Sequence, residues 1–289
     1  MNYNVTHVTR YTYGATVELT TGILRLKPVS RDGQFLERFS LKTEPPCLPP
    51  SERVDAFGNA VLSLRIEKPH RELIVEAMSR VHLDRPAVLE LSPPWETVAA
   101  EALIAPSLAS DCPAIGLYPS RALSLFDEAT AYARKSFTAG RPVYEAAMDL
   151  ARRIRADFAY DPGSTEVSTP AQVAFEHRHG VCQDFAHIMI AALRGLGLPA
   201  LYVSGYIRTI PPPGKDRLAG ADASHAWVSL WCGSSMGWTD FDPTNALAVH
   251  NDHVEVARGR DYSDASPIES MVLSHGSHQL EVEVDVVPI

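Results

Sequence analysis

Three side chains in this sequence could together open an amide bond: Cys182, His225 and one of two aspartates, Asp240 or Asp242. A thiol attacks an amide carbonyl well only as thiolate, and a nearby imidazole can take or hold its proton. The imidazole needs a third group to fix its tautomer and ring orientation, and a carboxylate does that. Singly, each residue has a plainer reading. A free cysteine on an apolar helix face is usually a packing residue. A histidine such as His225 is more often a satisfied core or surface residue. An aspartate before a proline, as in Asp242-Pro243, is ordinary turn chemistry. Asp240 and Asp242 lie two apart on one strand face, and spacing does not separate them.

These groups need elements to hold them. Cys182, Phe185, Ala186, Met189, Ile190 and Leu193 fall at i, i+3, i+4, i+7, i+8 and i+11, one face of an amphipathic helix. Gly180 lets the chain turn in, Gly195 and Gly197 can cap the exit, and Pro199 blocks continuation. Cys182 therefore opens the apolar face at the positive end of the helix dipole, where backbone N–H groups are free. Its own amide is one oxyanion donor, and Gln183 and Tyr206 are candidates for a second. Residues 224–231 alternate, with Ala226, Val228 and Leu230 on one face and His225 and Trp227 on the other. Residues 238–242 form the next strand, ended by Pro243. Facing side chains on adjacent antiparallel strands sit about 4.5–5.5 Å apart at Cβ, so an aspartate there can reach His225. Trp227 packs or contacts substrate. Asp184 favours the helix start, and His187, off the apolar stripe, is expected solvated or paired with Asp184.

The rest of the chain divides by composition. Residues 1–90 are rich in β-branched and aromatic residues broken by turns such as Gly58-Asn59, which predicts an N-terminal antiparallel β-sandwich. Phe35, Glu37, Phe39 and Leu41 are expected on one face of a strand. No titratable cluster marks this domain, so no chemistry is assigned to it. Residues 91–120 read as a Pro-rich linker with one short helix near 96–103. Residues 121–260 form the core, with helices over 123–137, 143–158 and 171–176 before the cysteine helix. Residues 261–289 are a C-terminal extension whose final strand, 280–286, could join either sheet. The Pro- and Gly-rich segment 211–223 is expected to be a mobile surface loop placed to gate the site.

The 289 residues carry a formal net charge of −9, which disfavours nonspecific binding to nucleic acid or anionic membranes. The start lacks the basic and apolar regions of a signal peptide, and no apolar run is long enough to span a bilayer. A cytoplasmic protein is expected. Cys47, Cys112, Cys182 and Cys232 form no CxxC pair and read as free thiols. His177, His179 and Cys182 lack the further ligands of a zinc finger, so no metal and no cofactor is expected. The sequence leaves oligomeric state open.

Three stretches carry a family resemblance: Gly180-Val181-Cys182-Gln183-Asp184-Phe185-Ala186, Ser224-His225-Ala226-Trp227-Val228, and Gly237-Trp238-Thr239-Asp240-Phe241-Asp242-Pro243-Thr244. They resemble the bacterial transglutaminase-like superfamily, in which a Cys heads a helix, a His precedes an aromatic, and an Asp follows a Trp by four residues. The resemblance maps a triad onto Cys182, His225 and Asp242 and favours Asp242 over Asp240. Tyr11-Thr12-Tyr13 and Asp55-Ala56-Phe57-Gly58-Asn59 look like the β-domain that precedes this core. The segment 259–264 resembles a stretch that follows it. The implied fold is α+β: the sandwich, then a papain-like core whose Cys-bearing helix packs on an antiparallel sheet bearing His and Asp. The implied chemistry is acyl transfer through a thioester on a peptide or protein substrate. Hydrolysis by water is the favoured outcome, and amine crosslinking of glutamine the alternative. An idle binding module is the reading from another class, and intact Cys, His and Asp speak against it.

Overall fold

Strand-forming residues dominate the first third of the chain, and they fold as that composition predicts. The computed structural model describes residues 1–86, 92–104, 107, 109–209 and 223–289. Strands β1 (Asn2–Val17), β2 (Leu19–Leu24), β3 (Gln34–Glu44), β4 (Glu52–Val54), β5 (Ala60–Ile66) and β6 (His70–Leu83) come first. Helix α1 (Trp95–Leu103), a 3-10 turn (Pro113–Gly116), α2 (Asp127–Arg134) and α3 (Val143–Asp157) follow. Next are β7 (Ala159–Tyr160), α4 (Ala171–His177), β8 (His179–Gly180) and the cysteine helix α5 (Cys182–Gly195). The chain continues through β9 (Ala200–Ile207), β10 (Ala223–Trp231), β11 (Trp238–Asp242), β12 (Leu247–Ala248) and β13 (His253–Gly259). It ends with α6 (Tyr262–Ala265), β14 (Ile268–Leu273) and β15 (His278–Pro288). The loop expected over 211–223 lies outside the described residues except for Ala223, which opens β10. Among the described residues no helix is long and apolar enough to cross a membrane.

Two antiparallel sheets form the sandwich, in the orders β15-β1-β6-β3 and β14-β2-β5-β4. Both C-terminal strands thus return to the N-terminal sheets, β15 beside β1 and β14 beside β2. Tyr13, Val17, Leu24, Leu64, Ile66 and Val75 fill the space between the sheets. The face expected for β3 needs correction. The pairing of β3 with β6 shifts between Leu36 and Arg38, which is a β-bulge. One extra residue reverses the inward–outward alternation. Phe39 and Leu41 pack on the sandwich core, whereas Phe35 is 53% exposed.

A third, five-stranded sheet is antiparallel in the order β12-β11-β10-β9-β13. Helix α5 packs on the face bearing Ala226, Val228, Leu230 and Tyr202, while Trp227 joins Val203 and Val249 in a separate cluster. His253 of β13 nonetheless touches Asp242 of β11 across the two intervening strands, so the sheet is strongly curled. Gly205 permits this: a Cβ there would collide with the Trp227 indole and the Val254 carbonyl.

Helix α5 is not amphipathic in its final setting; every residue from Gln183 to Arg194 is buried. Its polar residues meet partners instead of water. Arg194 donates to the carbonyls of Ala200 at 2.8 Å, Tyr118 at 2.9 Å and Arg260 at 2.6 Å. The Pro-rich stretch contributes to the same core: Val98 and Ala102 of α1 are sealed within it.

The sandwich and the five-stranded sheet meet through Tyr3, Val5, Val81 and Val284 on one side and Tyr206, Val254 and Val256 on the other. β13 is an edge strand, and an edge presents unpaired backbone groups. Side-chain amides of the sandwich satisfy them. Gln34 Nε2 donates to the Glu255 carbonyl at 2.8 Å and its Oε1 accepts the Glu255 N–H at 2.9 Å. Asn59 does the same for Arg258, at 2.7 and 2.8 Å.

Candidate active site

Cys182 owes its position to the way α5 begins. The Asp184 carboxylate folds back over the helix start, where Oδ2 accepts the Val181 N–H at 2.8 Å and the Thr165 hydroxyl at 2.6 Å. A Cβ at Gly180 would stand 2.6 Å from that same oxygen, so only glycine leaves room for the cap. The first intrahelical bond runs from the Phe185 N–H to the Val181 carbonyl at 3.1 Å. The amides of residues 182–184 therefore have no acceptor within the helix. Cys182 is half-buried and lines a cavity of about 360 Å3 together with His225.

His225 is fixed from behind. Its Nε2 lies 2.8 Å from Asp242 Oδ2, which leaves Nδ1 for Cys182. Asp242 is fully buried at the turn that Pro243 creates, and its carboxylate is saturated. Oδ1 accepts the backbone N–H groups of Thr244 at 2.9 Å and Asn245 at 3.1 Å. Oδ2 accepts Asn245 Nδ2 at 2.7 Å and His253 Nε2 at 3.1 Å besides His225. Burial alone would raise the Asp242 carboxyl, but hydrogen bonds from His225, His253 and Asn245 outweigh it and hold the group well below the carboxylate range. The same balance acts on His225. Burial opposes its charge, yet the bonds to Asp242 and Cys182 push the imidazole up to about 10.

The competing aspartate has another task. Asp240 Oδ2 accepts the Trp227 indole N–H at 3.0 Å, and burial pushes its carboxyl up. The two aspartates of β11 thus hold neighbouring rings of β10. Trp227 is fully buried, its ring 6.2 Å from that of His225, and it backs the imidazole without lining the cavity. Gln183 lines the cavity, with its amide donating to the Val167 carbonyl at 3.0 Å. Tyr206 turns its hydroxyl to His7 Nδ1, 3.1 Å away, at the sandwich interface. His187 is neither solvated nor paired with Asp184. It is buried, accepts the Tyr262 N–H at 3.2 Å, and is pushed down to about 4 by burial. The polar side of α5 is covered by β9 and α6, which periodicity does not reveal. All four cysteines are free, and burial pushes the Cys232 thiol up to about 12.

Two contributions escaped the sequence reading. His253 is the second imidazole on Asp242, and its one signal is a histidine opening an apolar strand. The three ligand-type atoms of His225, Asp242 and His253 lie within 4.8 Å of one another. Their contacts of 2.8 and 3.1 Å are hydrogen-bond lengths that account for the cluster as it stands. The sandwich, to which no chemistry was assigned, supplies His7, Thr9 and Tyr11 of β1 to the wall facing Cys182.

Residues 3–82 match the bacterial transglutaminase-like N-terminal region, and residues 130–243 match the transglutaminase-like superfamily. An uncharacterised protein of Mycobacterium tuberculosis is 39% identical over 295 residues, covering 99% of this chain and 92% of its own length. One of Mycobacterium leprae is 30% identical over 287 residues, covering 98% and 97%. A Pseudomonas aeruginosa protein named protein-glutamine gamma-glutamyltransferase is 35% identical over 94 residues, which is 32% of this chain and 14% of that protein. The crystal structure of a candidate cysteine protease from Cytophaga hutchinsonii superposes with a TM-score of 0.74 at 24% identity, covering 100% of this chain and 91% of the other. That likeness concerns the fold. With both halves matched and relatives aligned along its full length, the chain belongs to the bacterial transglutaminase-like superfamily, a family of thiol-based enzymes.

Proposed function

We propose that this protein hydrolyses peptide or side-chain amides, with Cys182 as nucleophile, His225 as acid–base and Asp242 as the group that orients it. The observation that carries the reading is the His225 ring, bonded to Asp242 at 2.8 Å through one nitrogen and left to Cys182 through the other. The Cys182 sulfur adds to the amide carbonyl carbon, and the oxygen that gains charge is met by the free amides at the start of α5. His225 gives its proton to the leaving nitrogen, the C–N bond breaks, and a thioester remains. Water then attacks the thioester, His225 takes the water proton, and a carboxylate leaves as the thiol is restored. Acid–base help of this kind contributes about 10²–10⁴ in rate.

One general argument and one observation support water over an amine as acceptor. Water needs no recognition site, and no Asp or Glu lines the cavity among the described residues to bind a lysine ammonium. The protein should therefore release ammonia or amine from glutamine-containing peptides, with Cys182→Ala as the blank. Adding a primary amine separates the outcomes: ammonia release accompanied by free carboxylate supports hydrolysis. Amine incorporation faster than hydrolysis would make the protein a transglutaminase.

A further inference from the structure

On the footing of that thiol reading, we infer that the sandwich provides the subsite for the acyl donor, and that it takes an uncharged apolar or aromatic side chain beside the scissile amide. The inward face of the sheet β15-β1-β6-β3 serves two cores in turn. At one end Tyr3, Val5, Val284 and Val286 lie under the five-stranded sheet. At the other, Tyr13, Leu73 and Val75 pack on the second sandwich sheet. Between them the face crosses the cavity that holds Cys182. There Thr9 pairs with Val282 and Tyr11 with Leu280. Leu280 and Val282 continue the stripe of the buried Val284 and Val286, yet they are 53% and 46% exposed. They are core-type side chains left half-open among the described residues, and they line the cavity beside the thiol.

The opposite wall has the same character. Tyr202 and Tyr262 meet edge to face, centroids 6.1 Å apart, with Ile268 and Val181 beside them. No Asp, Glu, Lys or Arg lines the cavity among the described residues. His7 adds no charge and no free donor. Its Nε2 meets Thr9 Oγ1 at 2.7 Å, its Nδ1 meets the Tyr206 hydroxyl at 3.1 Å, and burial pushes it down to about 4. The one charge the His225 ring brings to the wall is held between Asp242 and Cys182. A charged side chain entering beside Leu280 and Val282 would therefore shed water without a partner of its own, whereas an apolar one would cover them. About 360 Å3 is at the small end for ligand pockets, with room for one side chain and its amide.

Three alkylating probes test this on the intact chain: iodoacetamide, N-benzyl iodoacetamide and the carboxylate-bearing iodoacetyl-glycine. In each the Cys182 sulfur displaces iodide and forms an S–C bond, so only the appended group differs. Rates are read by peptide mass mapping and divided by the rate of each probe with free cysteine. The benzyl probe should label Cys182 about tenfold faster than iodoacetamide, and the carboxylate probe slower than both. Leu280→Asn and Val282→Asn should each erase most of the benzyl preference, read as the ratio of the benzyl to the iodoacetamide rate within each variant. Far-ultraviolet circular dichroism of each variant reports an intact fold. Equal normalised rates in the parent protein, or a preference that survives both substitutions, would overturn the subsite. Failure of all three probes to label Cys182 would overturn the thiol reading itself, and the subsite with it.

Discussion

His225 and His187 are almost equally sealed, 7% and 3% exposed, yet the protein drives them to opposite charge states. At His187 burial outweighs the pull of Asp261, the ring is pushed down to about 4, and its Nε2 accepts a backbone N–H that a protonated nitrogen would refuse. At His225 burial is as deep, but Asp242 at 2.8 Å and Cys182 reverse its effect and push the ring up to about 10. His7, in the cavity wall, follows His187. Burial by itself silences an imidazole, and it still wins at His253, which shares the Asp242 carboxylate; only at His225 do Asp242 and Cys182 together hold a cation. Neutral-pH charge is thereby directed to the ring beside the thiol.

Removing the carboxylate should break the contrast most severely. Asp242→Asn is expected to lower kcat/KM by about 10³–10⁴, because His225 loses both its charge partner and its tautomer. Asp240→Asn, which touches the bond to an indole and no imidazole, should cost about tenfold or less, since an indole hydrogen bond is worth about 1 kcal/mol. Steady-state rates on any amide the protein turns over will separate the two.

The acid limb of stability comes next. His7 and His187 both titrate near 4 when folded and near 6.5 when unfolded, so between those values the unfolded chain binds more protons. Their stability contribution is full above 6.5 and is lost as pH falls to about 4, by up to about 3 kcal/mol each. His225 runs the other way: its contribution is full below 6.5 and is lost as pH rises through about 10. Urea unfolding at pH 7 and 4.5 should show the acid loss, and His187→Gln should flatten it. An unchanged acid slope in that variant would remove His187 from the account.

A modest effect concerns His253, the second imidazole on Asp242. His253→Ala should lower kcat about tenfold with little change in KM, as expected for one charge-assisted hydrogen bond. His253→Gln, which keeps a donor, should restore part of it. A change in KM alone would mark His253 as a packing residue.

Local pattern made much of this legible. The apolar spacing from Cys182 to Leu193 defined α5, and alternation along β10 placed His225 and Trp227 on one face and Ala226 on the other. What stayed hidden depends on contacts between distant segments. Alternation along β1 marks His7, Thr9 and Tyr11 as one face, but what that face meets is set by β15, which pairs with it from the far end of the chain. His253 reaches Asp242 only because the sheet curls, and curl has no residue-level signature here beyond Gly205. The bulge that turns Phe35 outward is equally silent in the sequence.

The ionisation of His225 tests the centre of the account most directly. Nitrogen-15 NMR of the imidazoles, with His225→Gln to assign the signal, should find this ring still protonated at neutral pH and releasing its proton near 10. A His225 ring that is already neutral at pH 7, like those of His187 and His7, would contradict it.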